Sequence, residues 1–209
     1  GIQGRVPAGS ATDGLHCNVT LVSRHGTSGG FKVLRYVDAP GTGLPDAAAS
    51  GTLTLLVGAA PADLDAARPI FASLATRVLH FGAVGQGTAY KLMVNLMGAV
   101  QIASAAEGIA LAERAGLDLK LVADAVASGQ AASPQVVRNV RRFVGGDHGG
   151  AVTFTPALRL KDIDYALRLA RKLGMDCRFG TVAQDLYRVL CERGAAGEHE
   201  SRIIGVRRG

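Results

Sequence analysis

Lys91 and Asn95 are the two side chains whose types and spacing point most directly to chemistry. They stand four residues apart in Gly85-Gln86-Gly87-Thr88-Ala89-Tyr90-Lys91-Leu92-Met93-Val94-Asn95, the start of a stretch that otherwise reads as an apolar helix. Four residues make about one helical turn, so both side chains project from the same face, and Gly98 and Ile102 continue that stripe. An ammonium beside a carboxamide, among small and apolar neighbours, can hold a carbonyl oxygen and exchange a proton with it. The same pair also fits an architectural reading, in which the lysine lays its alkyl stem along apolar surface and the amide bonds to another helix.

Other chemistries find less support. The Gly85/Gly87 pair is not a dinucleotide fingerprint, because the third position of G-x-G-x-x-G is occupied by Tyr90, too bulky for close helix–strand contact. These glycines instead suit a tight turn into the helix. His16, His25, His80, His148 and His199 form no metal-ligand pattern with one another or with Cys17, Cys177 and Cys191, so no metal is expected. Three widely spaced cysteines also argue against a disulfide framework and fit a reducing, cytoplasmic setting.

The elements that must position Lys91 and Asn95 change character along the chain. A short β-like run lies at Cys17 to Val22, and clearer strands are expected at Val33 to Val37 and Thr52 to Val57. Pro61-Ala62-Asp63-Leu64-Asp65 suits the first turn of a helix reaching about Thr76, and Val78 to Phe81 reads as a last strand. From Gly87 the periodicity becomes helical: a long helix closes at Gly116, and further helices are expected near Leu119 to Ser128, Pro134 to Phe143, Pro156 to Leu173, Thr181 to Arg193 and Glu198 to Val206. The expected organisation is an α/β part over 1–84 and an all-α part, built on the long helix, over 85–209.

Composition narrows the classes. A chain of 209 residues that is 48% hydrophobic is too apolar to be disordered, and its 28 glycines gather in the first thirty residues and around Gly145 to Gly150. A net charge of +6 favours an anionic partner, but no aromatic–basic stacking pattern accompanies it, and Arg138, Arg141 and Arg142 read as one solvated helical face. Nucleic-acid binding is therefore not expected. No leader sequence is apparent, and Leu92 to Ala112 carries Asn95, Gln101, Ser104 and Glu107, which suit a buried helix better than a membrane span.

Three motifs in order give the sequence a family resemblance. Asp38-Ala39-Pro40 with Gly43, then Ala48-Ala49-Ser50-Gly51-Thr52-Leu53, resembles the substrate-loop signature of the β-hydroxyacid dehydrogenases, which include 3-hydroxyisobutyrate dehydrogenases and tartronate semialdehyde or glyoxylate reductases. Gly85 to Asn95 is similar to their G-x-G-x-x-x-K-x-x-x-N segment, and Phe154 with Leu160-Lys161-Asp162 resembles a later F-x(5)-L-K-D stretch. The resemblance implies a partial Rossmann-like NAD(P)-binding domain followed by an all-α catalytic and dimerisation domain. It implies hydride transfer between NAD or NADP and a small β-hydroxy acid or its semialdehyde or keto form, in a homodimer or homotetramer without membrane attachment. Lys91 would be the general acid/base and Asn95 would orient it, Thr42 and Gly43 would bind the substrate carboxylate, and Lys161, Asp162 and Phe154 would serve the cofactor side.

Departures from the family pattern set further expectations. No strand followed by G-x-G-x-x-G precedes Tyr36, the glycine-rich Gly26 to Gly30 stands where the family has a helix, and Gly41 and Leu44 replace a usual valine and glycine. Most of the nucleotide-binding domain is thus expected to be lacking, with weak or no dinucleotide binding by this chain alone. The alternative is a non-catalytic dimerisation module, in which Ala99, Ala103, Ala106 and Ala110 let two copies of the long helix pack closely.

Overall fold

A computed structural model describes residues 19–25, 33–43, 45–149 and 152–208. Cys17, Leu44 and the Gly26–Gly30 segment lie outside the described residues. The chain divides into two units, Gly1–Lys91 and Leu92–Gly209, so the division falls inside the long helix rather than at its start.

In the first unit, β1 (Val19–His25) pairs antiparallel with β2 (Val33–Asp38). The short β3 (Gly41–Thr42) and the one-turn helix α1 (Pro45–Ala49) lead to β4 (Leu53–Gly58), the hub of the sheet. β4 pairs antiparallel with β2 at Asp38–Gly58 and with β3 at Gly41–Leu55 and Thr42–Thr54. Helix α2 (Pro61–Phe71) then carries the chain over to β5 (Ala75–Gly82), which lies parallel to β4. This β4–α2–β5 crossover is the Rossmann-like element.

The first core follows from the sequence pattern. Leu55, Leu56 and Val57 are consecutive and all buried, as in a strand covered on both faces. Leu64, Ala67 and Phe71 present one face of α2 to Val37, Leu55 and Val57. The helix expected to reach Thr76 stops at Phe71, and β5 starts at Ala75 rather than Val78. Ala75 and Arg77 are drawn into register with Leu53 and Thr54 of β4, and sheet pairing overrides the weak helical preference of this short segment.

Helix α3 (Gln86–Arg114) is long and apolar enough by composition to cross a membrane, yet it serves as the central helix of the second core. Ala99, Ile102, Ala103, Ala106, Ile109 and Ala110 are all buried, at the spacing of one helical face. The alanine stripe read above as a surface for pairing two copies is therefore occupied by the chain's own packing. Around it stand α4 (Leu119–Ser128), α5 (Pro134–Gly145), α6 (Pro156–Lys172) and α7 (Arg178–Leu190). Asp118, Ser133 and Thr155 cap α4, α5 and α6 by accepting N–H groups of the first turn, and Gly116 ends α3 at φ +74°.

The C-terminal region forms two separate helical runs, as expected, and the break between them falls at Gly194 (φ +88°). After α7 the chain passes through a π-turn (Cys191–Ala195), a 3₁₀ turn (Glu200–Ile203) and α8 (Ile204–Arg208). The second run opens on a wholly buried polar triplet, His199-Glu200-Ser201. Glu200 accepts from Arg159 Nε at 2.9 Å and Nη2 at 2.6 Å, and the Arg159 guanidinium lies 4.3 Å over the Phe154 ring. His199 Nδ1 accepts the Ser201 N–H at 3.1 Å and so must be unprotonated, while Nε2 lies 3.2 Å from Thr153 Oγ1. Burial, then the nearby Glu200 carboxylate, push the Tyr187 phenol up, with Arg159 opposing.

Two measurements check this C-terminal clasp. Glu200→Ala strands a buried guanidinium and is expected to cost about 3–5 kcal/mol in urea unfolding, whereas the joint change Arg159→Met with Glu200→Leu costs much less. His199 is held down to about 4, first by burial and then by Arg142 and Arg138. Because its folded pKa lies below its ordinary 6.5, its contribution to stability is complete above pH 6.5 and is lost as pH falls towards 4. The unfolding midpoint should drop over that window, and His199→Gln should flatten the drop.

Candidate active site

The first unit seats the start of α3 with unusual closeness. Gly85 turns the chain at φ +94°, and a Cβ on Gly87 would lie 2.2 Å from the Leu56 carbonyl oxygen. Only a glycine lets the helix backbone touch β4 there. A Cβ on Gly58 would likewise meet the Ala83 carbonyl oxygen at 2.5 Å. The Asp38 carboxylate, only 6% exposed, accepts the Thr88 N–H at 2.8 Å and also the Thr88 hydroxyl. It thereby satisfies an orphan amide of the first turn and places negative charge at the positive end of the helix dipole. Tyr90 stacks on Phe81 of β5 with ring centroids 4.2 Å apart, which explains an aromatic where a nucleotide fingerprint has glycine.

The loop read as substrate-binding hangs from the same strand. Leu56 N–H donates to the Pro40 carbonyl at 2.9 Å, and Gly41 and Thr42 pair with Leu55 and Thr54. Gly43 adopts φ +145°, where a Cβ would be 2.9 Å from both Ala47 and Leu53, while Thr42 and Gly43 themselves are exposed. Ser50 and Thr52, part of the signature, bond to each other at 2.8 Å, and Ser50 also donates to the Asp46 carbonyl. Their role is to close α1 onto β4. Lys91 is half-buried, one turn beyond Gly87 on α3.

In the second unit Asn95 has its amide fixed. Its Nδ2 donates to Asp162 Oδ2 at 2.7 Å, which leaves Oδ1 as the atom able to accept. The other Asp162 oxygen lies 3.3 Å from Lys161 Nζ; Asp162 is 13% exposed and Lys161 52%. The Asn95 backbone carbonyl also accepts from Arg159 Nη1 at 3.3 Å. Beyond Asn95 the stripe descends into the core: Gly98 is buried where a Cβ would touch Gln135, and Ile102 is fully buried. Phe154 is half-buried with its ring committed to Arg159, and its carbonyl accepts the Glu200 N–H.

Lys91 and Asn95 thus lie one turn apart on an unbroken helix, and Asn95, Asp162 and Lys161 form one polar group. Sequence reasoning did not assign roles to Asp38, Thr88, Arg159 or Glu200. Asp38 was visible only as the first letter of a motif, and Arg159 and Glu200 meet across 41 residues with no local signal.

Residues 85–207 match a family model described as NAD-binding of NADP-dependent 3-hydroxyisobutyrate dehydrogenase, and residues 13–82 match the NAD binding domain of 6-phosphogluconate dehydrogenase. The mitochondrial 3-hydroxyisobutyrate dehydrogenase of Rattus norvegicus is 32% identical over 176 residues, which cover 81% of this chain and 52% of that protein. The 2-(hydroxymethyl)glutarate dehydrogenase of Eubacterium barkeri is 28% identical, with 84% and 58% covered. Among solved structures, Mycobacterium tuberculosis 3-hydroxyisobutyrate dehydrogenase with L-serine superposes at a TM-score of 0.75 and 29% identity, covering 83% of this chain and 61% of that one. The enzyme of the same name from Salmonella typhimurium gives 0.74 and 25%, with 82% and 60% covered. The chain spans about half the length of the curated relatives it matches.

The seating of α3 is open to test by paired glycine substitutions. Gly87→Ala is expected to destabilise by about 1–3 kcal/mol or more through overpacking against β4. Gly108→Ala, also in α3 but with open space around its Cβ, is expected to be neutral or to stabilise by up to about 1 kcal/mol. Equal effects of the two in chemical denaturation would contradict the close contact.

Proposed function

The chain belongs to the NAD(P)-dependent β-hydroxyacid dehydrogenase family, and on that premise we propose that it carries the acid/base side of a hydride transfer involving a small β-hydroxy acid or its semialdehyde or keto form. The observation that carries this reading is the fixed carboxamide of Asn95, one helical turn from Lys91. With Nδ2 tied to Asp162, Asn95 Oδ1 can accept from the Lys91 ammonium or from the substrate hydroxyl and hold either in place.

In the oxidative direction Lys91 Nζ takes the proton from the substrate hydroxyl while the carbon gives up hydride. In the reductive direction it returns that proton to the carbonyl oxygen. The nicotinamide, NAD or NADP, supplies the hydride acceptor or donor when bound. Thr42, through its hydroxyl, and Gly43, through its backbone N–H, are the proposed ligands of the substrate carboxylate. Lys161 suits the cofactor side: it is half exposed, and a lysine ammonium has three donors, of which Asp162 need occupy one.

The working assembly is proposed to be a homodimer or homotetramer. Met97 on α3 and Phe179 and Val182 on α7 are exposed by 51%, 79% and 55% within one apolar surface of the second unit. Exposed large apolar side chains grouped in this way suit a subunit contact.

The decisive assay offers the protein NAD and NADP in turn with a panel of small β-hydroxy acids. Lys91→Ala is expected to lower turnover by about a hundred- to ten-thousand-fold with an unchanged unfolding midpoint. Near-normal turnover in that variant would remove Lys91 from the acid/base role.

A further inference from the structure

Arg138, Arg141 and Arg142 line a concavity of about 660 Å³ along α5, together with Ser133, Pro134 and Val137. The sequence reading of this face as solvated holds for Arg141 alone, since the Arg138 and Arg142 side chains are only 34% and 18% exposed. Three guanidiniums at i, i+3 and i+4 repel one another unless each has an anion.

Their anions are poor. Arg138 Nη2 is 4.0 Å from Glu200 Oε1, but that carboxylate is already held by Arg159 at 2.6 Å, and Arg138 Nε is buried with no hydrogen-bond partner among the described residues. Arg142 lies 3.9 Å from the Asp147 carboxylate and donates to the Asp147 carbonyl at 3.1 Å. Arg141 has no carboxylate partner among the described residues. The excess positive charge is felt next door: after burial, Arg142 and Arg138 are what hold down His199, and Arg202 and Arg208 do the same to His148.

We propose that this arginine-lined groove binds the phosphate group of a phosphorylated small molecule, separately from the dehydrogenase site. A phosphate supplies the missing negative charge, and planar guanidinium forks match its oxygens with paired N–H donors, as lysines would not. The Arg138 and Arg142 side chains are already partly buried, so less side-chain freedom remains to be lost on binding.

The test is a titration of the protein with inorganic phosphate and with pyrophosphate at constant ionic strength, reading the arginine Nε–H resonances by NMR. Saturable shifts at Arg138, Arg141 and Arg142 are expected. Arg141→Gln should weaken binding about tenfold or more, while Arg171→Gln, an exposed arginine on α6, leaves it unchanged. Shifts that never saturate, that chloride reproduces, or that survive Arg141→Gln overturn the site. A short DNA duplex that binds more tightly than pyrophosphate, with a steep salt dependence lost in Arg141→Gln, overturns the small-molecule assignment in favour of a nucleic-acid surface.

Discussion

Everything about the placement of Lys91 rests on the contact between the first turn of α3 and strand β4. Backbone meets backbone there, because Gly87 has no Cβ to separate its helix from the Leu56 carbonyl. Asp38 completes the contact by holding Thr88 through both its amide and its hydroxyl. Helix ends ordinarily fray, since their amides lack partners. With its first turn held this way, α3 delivers a lysine one turn later with little positional freedom. The Thr42–Gly43 loop hangs from the same strand, so one element governs the origin of both the proposed acid/base residue and the proposed carboxylate ligands.

The second unit applies a different physics to the same end. Its core is largely apolar, with α3 contributing alanines and isoleucines that bring helices close but cannot orient a side chain. Orientation comes from a few buried polar groups: Asp162 fixes the Asn95 amide, and Arg159, clamped by Glu200, reaches the Asn95 backbone. Such groups are costly when left incomplete, so each demands its partner and together they define one arrangement. The C-terminal segment belongs to this set, since His199 caps its 3₁₀ turn by accepting the Ser201 N–H and Glu200 follows it into the core.

Much of this was legible beforehand where local chemistry decides. The helix starts at Pro134 and Pro156, the glycine end at Gly116 and the run Leu119 to Ser128 were all marked by caps, prolines or periodicity, and they appear as read. The Lys91–Asn95 spacing needed only the pitch of a helix. Less legible was the end of α2, where a parallel partner strand recruited Ala75 to Arg77, and the alanine stripe, whose small residues suit packing against any helix, whether from this chain or another. Periodicity states that a face is buried and not against what.

By itself, therefore, the sequence determined the elements, their order, the family motifs and the pairing of a lysine with a carboxamide one helical turn away, because each of these depends on neighbours within a turn or two. Only the tertiary structure decided that Asp38 caps α3, that Asp162 turns the Asn95 amide and that Arg159 is matched by Glu200. Those pairings join residues separated by 50, 67 and 41 positions. A hydrogen bond leaves no trace in the spacing of its partners once the chain between them has folded back, and the side chains involved gain their meaning from burial that no short window of sequence contains.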